Sequence, residues 1–380
     1  MLPYLGVFLA TALAVFALTP LVRLLARKVG AIVPPSARMV HTNPVPTMGG
    51  LAMLGGIAIG LGVAFAMGAF RPLFHVPSEL AGVAIASLVI AILGMVDDIR
   101  GISAPAKVAG QIFAAGLLVL SGVELLFFYF PQQGTVSLGP DLAVPLTIAW
   151  VLIVVNAVNL IDGLDGLAAG IVIIASVSFF VYAYTTPTLY GEANAAPLFC
   201  ALAAGAAAGF LPHNFHPAKI IMGDTGSMLL GLLLAAAAIS NLGQTAQTSD
   251  FGITKHTVVA FSIPVLIPIL VLAVPLTDVI LAVIRRLRRG TKWYAPDKEH
   301  IHHQLLEIGH THRQAVLLMY LWSAVAAGAT LAITYARNRA TVAFVAGFAF
   351  LVIGVTVIPR VVRGVRRGQA EAQAGRSGGG

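Results

Sequence analysis

An all-α polytopic membrane protein is what this sequence predicts, and three observations predict it. Hydrophobic residues fill 58% of the 380 positions and charged residues only 10%, with a mean hydropathy of +0.91, whereas soluble domains carry about 25% charged residues. The apolar residues come in continuous runs near the ~20 residues that a helix needs to cross a bilayer. They do not form the short alternating segments of a β-barrel. Finally, the basic residues sit between the runs and mostly on one side of them.

The length criterion gives about 11 transmembrane helices. They centre near Ala14, Gly60, Leu88, Leu117, Val151, Ala175, Ala204, Leu233, Leu270, Val325 and Val345. Backbone groups in hydrocarbon must bond internally, which makes helices the default. The first run, Leu5 to Val22, lacks a basic flank and a small-residue cleavage site, so it reads as a span and not as a signal peptide. After the fourth run, the alternation in Gly134 to Leu138 suits a small hairpin in an external loop. The ninth run carries Pro264, Pro268 and Pro275. Proline removes a donor and kinks a helix, so the ninth helix is expected to be bent or broken.

Nineteen of the 23 Lys and Arg fall on one side, which the positive-inside rule makes cytoplasmic. The N-terminus is then outside and, with an odd number of spans, the C-terminus cytoplasmic. The same bias accounts for the net charge of +8 and leaves no call for nucleic acid as a partner. Residues 1–367 read as a single transmembrane catalytic domain and 368–380 as a disordered cytoplasmic tail. The lone Cys200 rules out an intrachain disulfide. No internal repeat is evident, which weakens a transporter built from inverted repeats.

With only 15 Asp plus Glu, the placement of carboxylates is informative. Those at the membrane edge are costly unless paired, hydrated or metal-bound. Asp97 and Asp98 end the third run, where a helix C-terminus already disfavours negative charge. Either a divalent cation relieves them or water does. Asn156, Asn159, Asp162 and Asp165 follow one another at three-residue spacing, with Gly163 and Gly166 letting the backbone turn. They are either a polar site or helix–helix glue. Asp224, between Gly223 and Gly226 and followed by Thr225 and Ser227, suits a metal or phosphate site at a helix N-terminus, or simply a cap. His300, His302 and His303 follow the basic run Arg285 to Arg289. This set reads as diphosphate recognition, zinc or a solvated loop. Lys107 either snorkels or binds a lipid phosphate. Arg38, His41 and Thr47 share the same face, as does Arg286, whereas His310 and His312 read as solvated. Acidic metal ligands beside basic anion binders suit phosphoryl transfer.

Taken in order, Asp97-Asp98, Asn159-x-x-Asp162-Gly-x-Asp165-Gly, Met222-Gly-Asp224-x-Gly-Ser227 and His300-x-His302-His303 resemble the polyprenyl-phosphate N-acetylhexosamine-1-phosphate transferases, between about Arg38 and Gln304. This superfamily (glycosyltransferase family 4) includes GlcNAc-1-phosphate and MurNAc-pentapeptide branches. The resemblance implies a Mg2+-dependent reaction, with Mn2+ as an alternative. A UDP-sugar and a polyprenyl phosphate, undecaprenyl or decaprenyl, give polyprenyl-diphospho-sugar and UMP. It implies Asp224 and Asp98 as metal ligands, and Asp97, Asp98, Asp162, Asp165, His302 and His303 as catalytic. Lys107, Asn159, Asn214, Thr47, Arg286 and His300 complete the candidate set as substrate-binding residues. Gln304 and Leu305 after the histidines are similar to the GlcNAc branch, where the other branch has Phe-Glu after three histidines. GlcNAc-1-phosphate transfer at the cytoplasmic face of a bacterial cell membrane, initiating envelope polysaccharide synthesis, is therefore expected, with a homodimer allowed for. The rivals are phospho-MurNAc-pentapeptide transfer, a CDP-alcohol phosphotransferase, whose Asp-Gly-x-x-Ala-Arg signature is not completed here, and a membrane transporter.

Overall fold

The computed structural model describes residues 1–33, 44–75, 78–125, 127–130, 134–185, 194–247 and 311–335, and fragments between 340 and 352. Nine long helices account for most of these residues: α1 (Leu2–Val29), α2 (Gly49–Ala66), α4 (Ser78–Arg100), α5 (Ala104–Leu120), α6 (Pro140–Ile161), α7 (Leu167–Thr185), α8 (Ala196–Asn214), α9 (Gly223–Gln247) and α10 (His312–Tyr335). A short α3 (Arg71–His75) lies between α2 and α4. Eight of the long helices are long and apolar enough to cross a membrane, and α5, at 17 residues, is shorter. Nine of the eleven expected spans thus coincide with helices. The ninth, with its prolines, lies outside the described residues, as does the tail; the eleventh falls on fragments.

Local chemistry sets the helix ends. Prolines stand in the first turns of α1, α5, α6 and α8, where a missing N–H costs nothing. Gly30 closes α1 in the left-handed conformation behind Arg27 and Lys28, cations that suit a helix C-terminus. The expected hairpin forms as β3 (Phe127–Phe130) and β4 (Gly134–Ser137), paired antiparallel. A second pair, β1 (Ile32–Val33) and β2 (Val45–Pro46), also antiparallel, was not foreseen.

α9 is the centre of the bundle. Of its spanning stretch 89% is buried, against 28% for α1. It packs on α2, α4, α6 and α8, and the run Ala235–Ala238 lets those neighbours approach closely. α1 packs on α2 and α8, and α7 on α8 and α10. Leucines along the outer side of α1, such as Leu5, Leu9 and Leu13, remain exposed, as a lipid-facing helix requires. The result is a multi-pass membrane architecture in which the C-terminal ends of α4, α6 and α8 gather around the N-terminus of α9.

Candidate active site

The N-terminus of α9 carries unsatisfied N–H groups and a partial positive charge, and carboxylates from two other elements meet it. Asp98, in the last turn of α4, accepts from both backbone and side chain there. Its Oδ1 takes the Asp224 N–H (2.9 Å) and the Thr47 hydroxyl (3.3 Å). Its Oδ2 takes the Thr225 N–H (3.2 Å) and the Thr225 hydroxyl (2.6 Å). Gly223 makes this approach possible: its φ is +71°, and a Cβ there would lie 2.4 Å from Asp98 Oδ2. Asp162 caps the C-terminal end of α6. Burial pushes its carboxyl well above the usual carboxylate range, Asp98 and Asp165 add repulsion, and the Gly223 N–H works the other way.

Beside this knot lies a cationic centre. Lys107 Nζ pairs with Asp97 Oδ2 at 3.0 Å and with Asp224 Oδ2 more closely still. Asp97 Oδ1 accepts the Ile102 N–H (2.7 Å), which fixes that carboxylate's orientation. Asn159 completes the group. With its amide turned so that each donor meets an acceptor, it donates to Asp224 Oδ1 and Ser227 Oγ (both 2.9 Å) and accepts from Lys107 Nζ at 3.1 Å. Three hard oxygen donors therefore meet at one point that the Lys107 ammonium marks, a donor set that fits Mg2+.

One turn deeper, Gln111 of α5 and Asn156 of α6 form a reciprocal amide pair, with Asn156 Nδ2 donating to Gln111 Oε1 at 2.8 Å. An unpaired amide at this depth would be expensive. The pair locks together the helices that carry Lys107 and Asn159. Gln111 was not among the expected residues, although an amide four positions after Lys107 in an apolar run is the same cue that marks Asn156.

On the other flank, Asp165 Oδ2 accepts from His216 Nδ1 (2.7 Å) and from the Ala218 N–H (3.1 Å). Two residues expected to bind substrate have internal partners in the structure. Thr47 is buried against Asp98. Asn214 is also buried; it accepts the Gly166 N–H and donates to the Ile220 carbonyl, both at 3.0 Å. His312, expected to be solvated, is buried and stacked on His216, with centroids 4.2 Å apart. The structure thus unites Asp97, Asp98, Asp162, Asp224, Lys107 and Asn159, with Asp165 adjoining. Arg286, His300, His302 and His303, and also Arg38 and His41, lie outside the described residues.

Known proteins resemble this chain over most of its length. Residues 80–241 match the family model described as glycosyl transferase family 4. The chain is 40% identical over 362 residues to the decaprenyl-phosphate N-acetylglucosaminephosphotransferase of Mycobacterium tuberculosis, covering 94% of this chain and 89% of that protein. It is 41% identical over 363 residues to the protein of the same name from Mycolicibacterium smegmatis, covering 94% and 88%. It is also 29% identical over 336 residues to the undecaprenyl-phosphate α-N-acetylglucosaminyl 1-phosphate transferase of Escherichia coli, covering 85% and 80%.

Proposed function

We infer, since this chain belongs to the polyprenyl-phosphate GlcNAc-1-phosphate transferases of glycosyl transferase family 4, that it transfers GlcNAc-1-phosphate to a polyprenyl phosphate. The observation that carries the chemistry is the meeting of Asp97, Asp224, Asn159 and Lys107 at the N-terminus of α9. In our reading the donor is UDP-GlcNAc. A phosphate oxygen of the lipid bonds to the sugar-linked phosphorus, the bond to the bridging oxygen breaks, and UMP leaves with that oxygen. The product, polyprenyl-diphospho-GlcNAc, starts a cell-envelope polysaccharide.

Asp224 and Asp97 would hold Mg2+, which when bound neutralises charge on the diphosphate. Lys107, whose ammonium pairs with both carboxylates in the structure, would be free to meet the incoming lipid phosphate where Mg2+ takes its place. Asn159 orients Asp224. Asp98 fixes the first turn of α9 and with it the position of Asp224. Val108, Ile112 and Phe113 of α5 are exposed beside Lys107, which suits arrival of the prenyl chain from the bilayer on that side.

The test is UMP release from purified protein given Mg2+, polyprenyl phosphate and a panel of UDP-sugars. Release is expected with UDP-GlcNAc, to vanish in EDTA and to return with excess Mg2+. Release only from UDP-MurNAc-pentapeptide would reject the donor assigned here. Undecaprenyl and decaprenyl phosphate compared side by side identify the preferred acceptor.

Eleven spans, an external N-terminus and a cytoplasmic site form part of the same proposal, supported by the asymmetry of Lys and Arg. Both Asp141 and Lys219 are exposed, at opposite ends of the bundle. Cysteines placed there in a Cys200→Ser background are expected to react with an impermeant maleimide differently: Asp141→Cys in intact cells, and Lys219→Cys only in inverted vesicles. The reverse pattern would invert the orientation.

A further inference from the structure

The flank formed by α7, α8 and α10 carries two histidines that the chemistry above does not use. His216 lies between α8 and α9, and its Nδ1 meets Asp165 Oδ2 at 2.7 Å. His312, in the first turn of α10, stacks on it with an interplanar angle of 26°. α10 then grips the same two loops again. Arg313 Nε donates to the His216 carbonyl (3.0 Å), and its guanidinium lies over the Phe215 ring. Tyr320 donates to the Gly166 carbonyl, and its ring fills the space beside Gly170 where a Cβ would stand. One helix thus fixes both loops that flank Asp165.

The Asp165, His216 and His312 ligand atoms all lie within 4.8 Å of one another. Two rings stacked nearly face to face present their lone pairs side by side, whereas ligands of one metal point at a common centre. The arrangement instead matches a carboxylate oriented by an imidazole that is itself held in place, the logic by which outer groups fix the geometry of functional ones.

We propose that His216, backed by His312, is a positioning residue that holds Asp165 and the 162–166 turn for the water-soluble donor. This rests on the transferase reading above. The side of the cluster argues for the donor. Lys107 belongs to α5, whose Val108, Ile112 and Phe113 are exposed, and Asp97 pairs with it, whereas the His216 flank opens through exposed Gly163, Pro217 and Lys219, residues suited to a soluble ligand and not to a prenyl chain.

Three variants test it, with initial rates taken against UDP-GlcNAc at saturating polyprenyl phosphate. His216→Phe keeps the ring over His312 but removes the imidazole donor to Asp165, leaving the Ala218 N–H. KM for UDP-GlcNAc is expected to rise about tenfold or more, while kcat and the KM for the lipid stay within threefold. His216→Asn restores a donor near the Nδ1 position and is expected to recover most of the loss. Asp165→Asn combined with His216→Phe is expected to cost little more than Asp165→Asn alone. An unchanged donor KM in His216→Phe, with only the melting temperature lowered, overturns the proposal, as does full additivity in the double variant. Should His216→Phe fail to fold, Asp165→Asn decides: a donor KM raised tenfold or more at an unchanged lipid KM supports the proposal, and an unchanged donor KM overturns it. No turnover of UDP-GlcNAc by the wild type overturns the transferase reading and the proposal together. Wild-type turnover with an unmoved KM overturns the proposal alone.

Discussion

Asp98→Asn is expected to lower the rate of UMP release about a thousandfold or more at saturating substrates, although it changes one atom. Both oxygens of Asp98 act only as acceptors, each toward two donors: the Asp224 N–H and Thr47 hydroxyl on one, the Thr225 N–H and hydroxyl on the other. An amide nitrogen placed on either side faces donors, so no flip rescues it. Hydrogen bonds to a charged group contribute about 1.5–3 kcal/mol each. Losing two, with donors then opposing a donor, releases the first turn of α9 by about 3–6 kcal/mol. At 1.36 kcal/mol per tenfold in rate, positioning of Asp224 alone accounts for roughly 10²–10⁴. Steady-state UMP release with circular dichroism as a folding control measures it. Activity within tenfold of wild type would show that α9 keeps its place without the Asp98 charge. Thr225→Val, which leaves Asp98 intact and removes one donor, is expected to cost far less, about tenfold.

This result follows from geometry that the sequence does not disclose. The spans themselves were legible, because a continuous apolar run of bilayer length has few readings. The carboxylates that the structure gathers were legible too: with so few of them, each one at a span end stands out. What stayed hidden was direction. Asp98 was expected as a metal ligand, and the structure shows its oxygens accepting from the α9 N-terminus. Thr47 and Asn214 were expected to bind substrate, and the structure shows both buried, Thr47 donating to Asp98 and Asn214 bonded to the Gly166 and Ile220 backbone. A polar residue at a helix end looks the same in sequence whichever side it turns to, because the neighbour that decides it is remote. Asp98 and Asp224 are 126 positions apart. His312 shows the same limit. Beside Thr311 and Arg313 it reads as a solvated residue at a helix start, and only the packing of α10 over 215–218 buries it.

The second large effect concerns a residue with no side chain. Gly50, at the start of α2, lies against the first turn of α9 so closely that a Cβ there would be 2.1 Å from the Gly226 nitrogen and 2.4 Å from its Cα. The opposing atoms are backbone, so no side-chain rotation relieves the overlap. Around it the chain is tied on both sides. The Gly50 N–H donates to the Met222 carbonyl, the Gly49 N–H to that of Ile221, and the Ile221 N–H to that of Pro46. Gly50→Ala must therefore push α9 away from α2 or break these bonds. Overpacking of this kind costs about 1–3 kcal/mol in stability, which a bundle this extensive survives. Catalysis is less tolerant, since a shift near 1 Å of a reacting group costs on the order of 10²-fold, and the turn that moves carries Asp224 and Thr225. Gly50→Ala is thus expected to yield folded protein with a modestly lowered melting temperature and at least a hundredfold loss of kcat. Gly62→Ala serves as the comparison: it sits on the same helix with open space at its Cβ position and is expected to leave kcat unchanged. If the two alanines behaved alike, close contact between α2 and α9 would not be what aligns the site. If Gly50→Ala alone fails, the active geometry depends on a backbone seam as much as on its carboxylates.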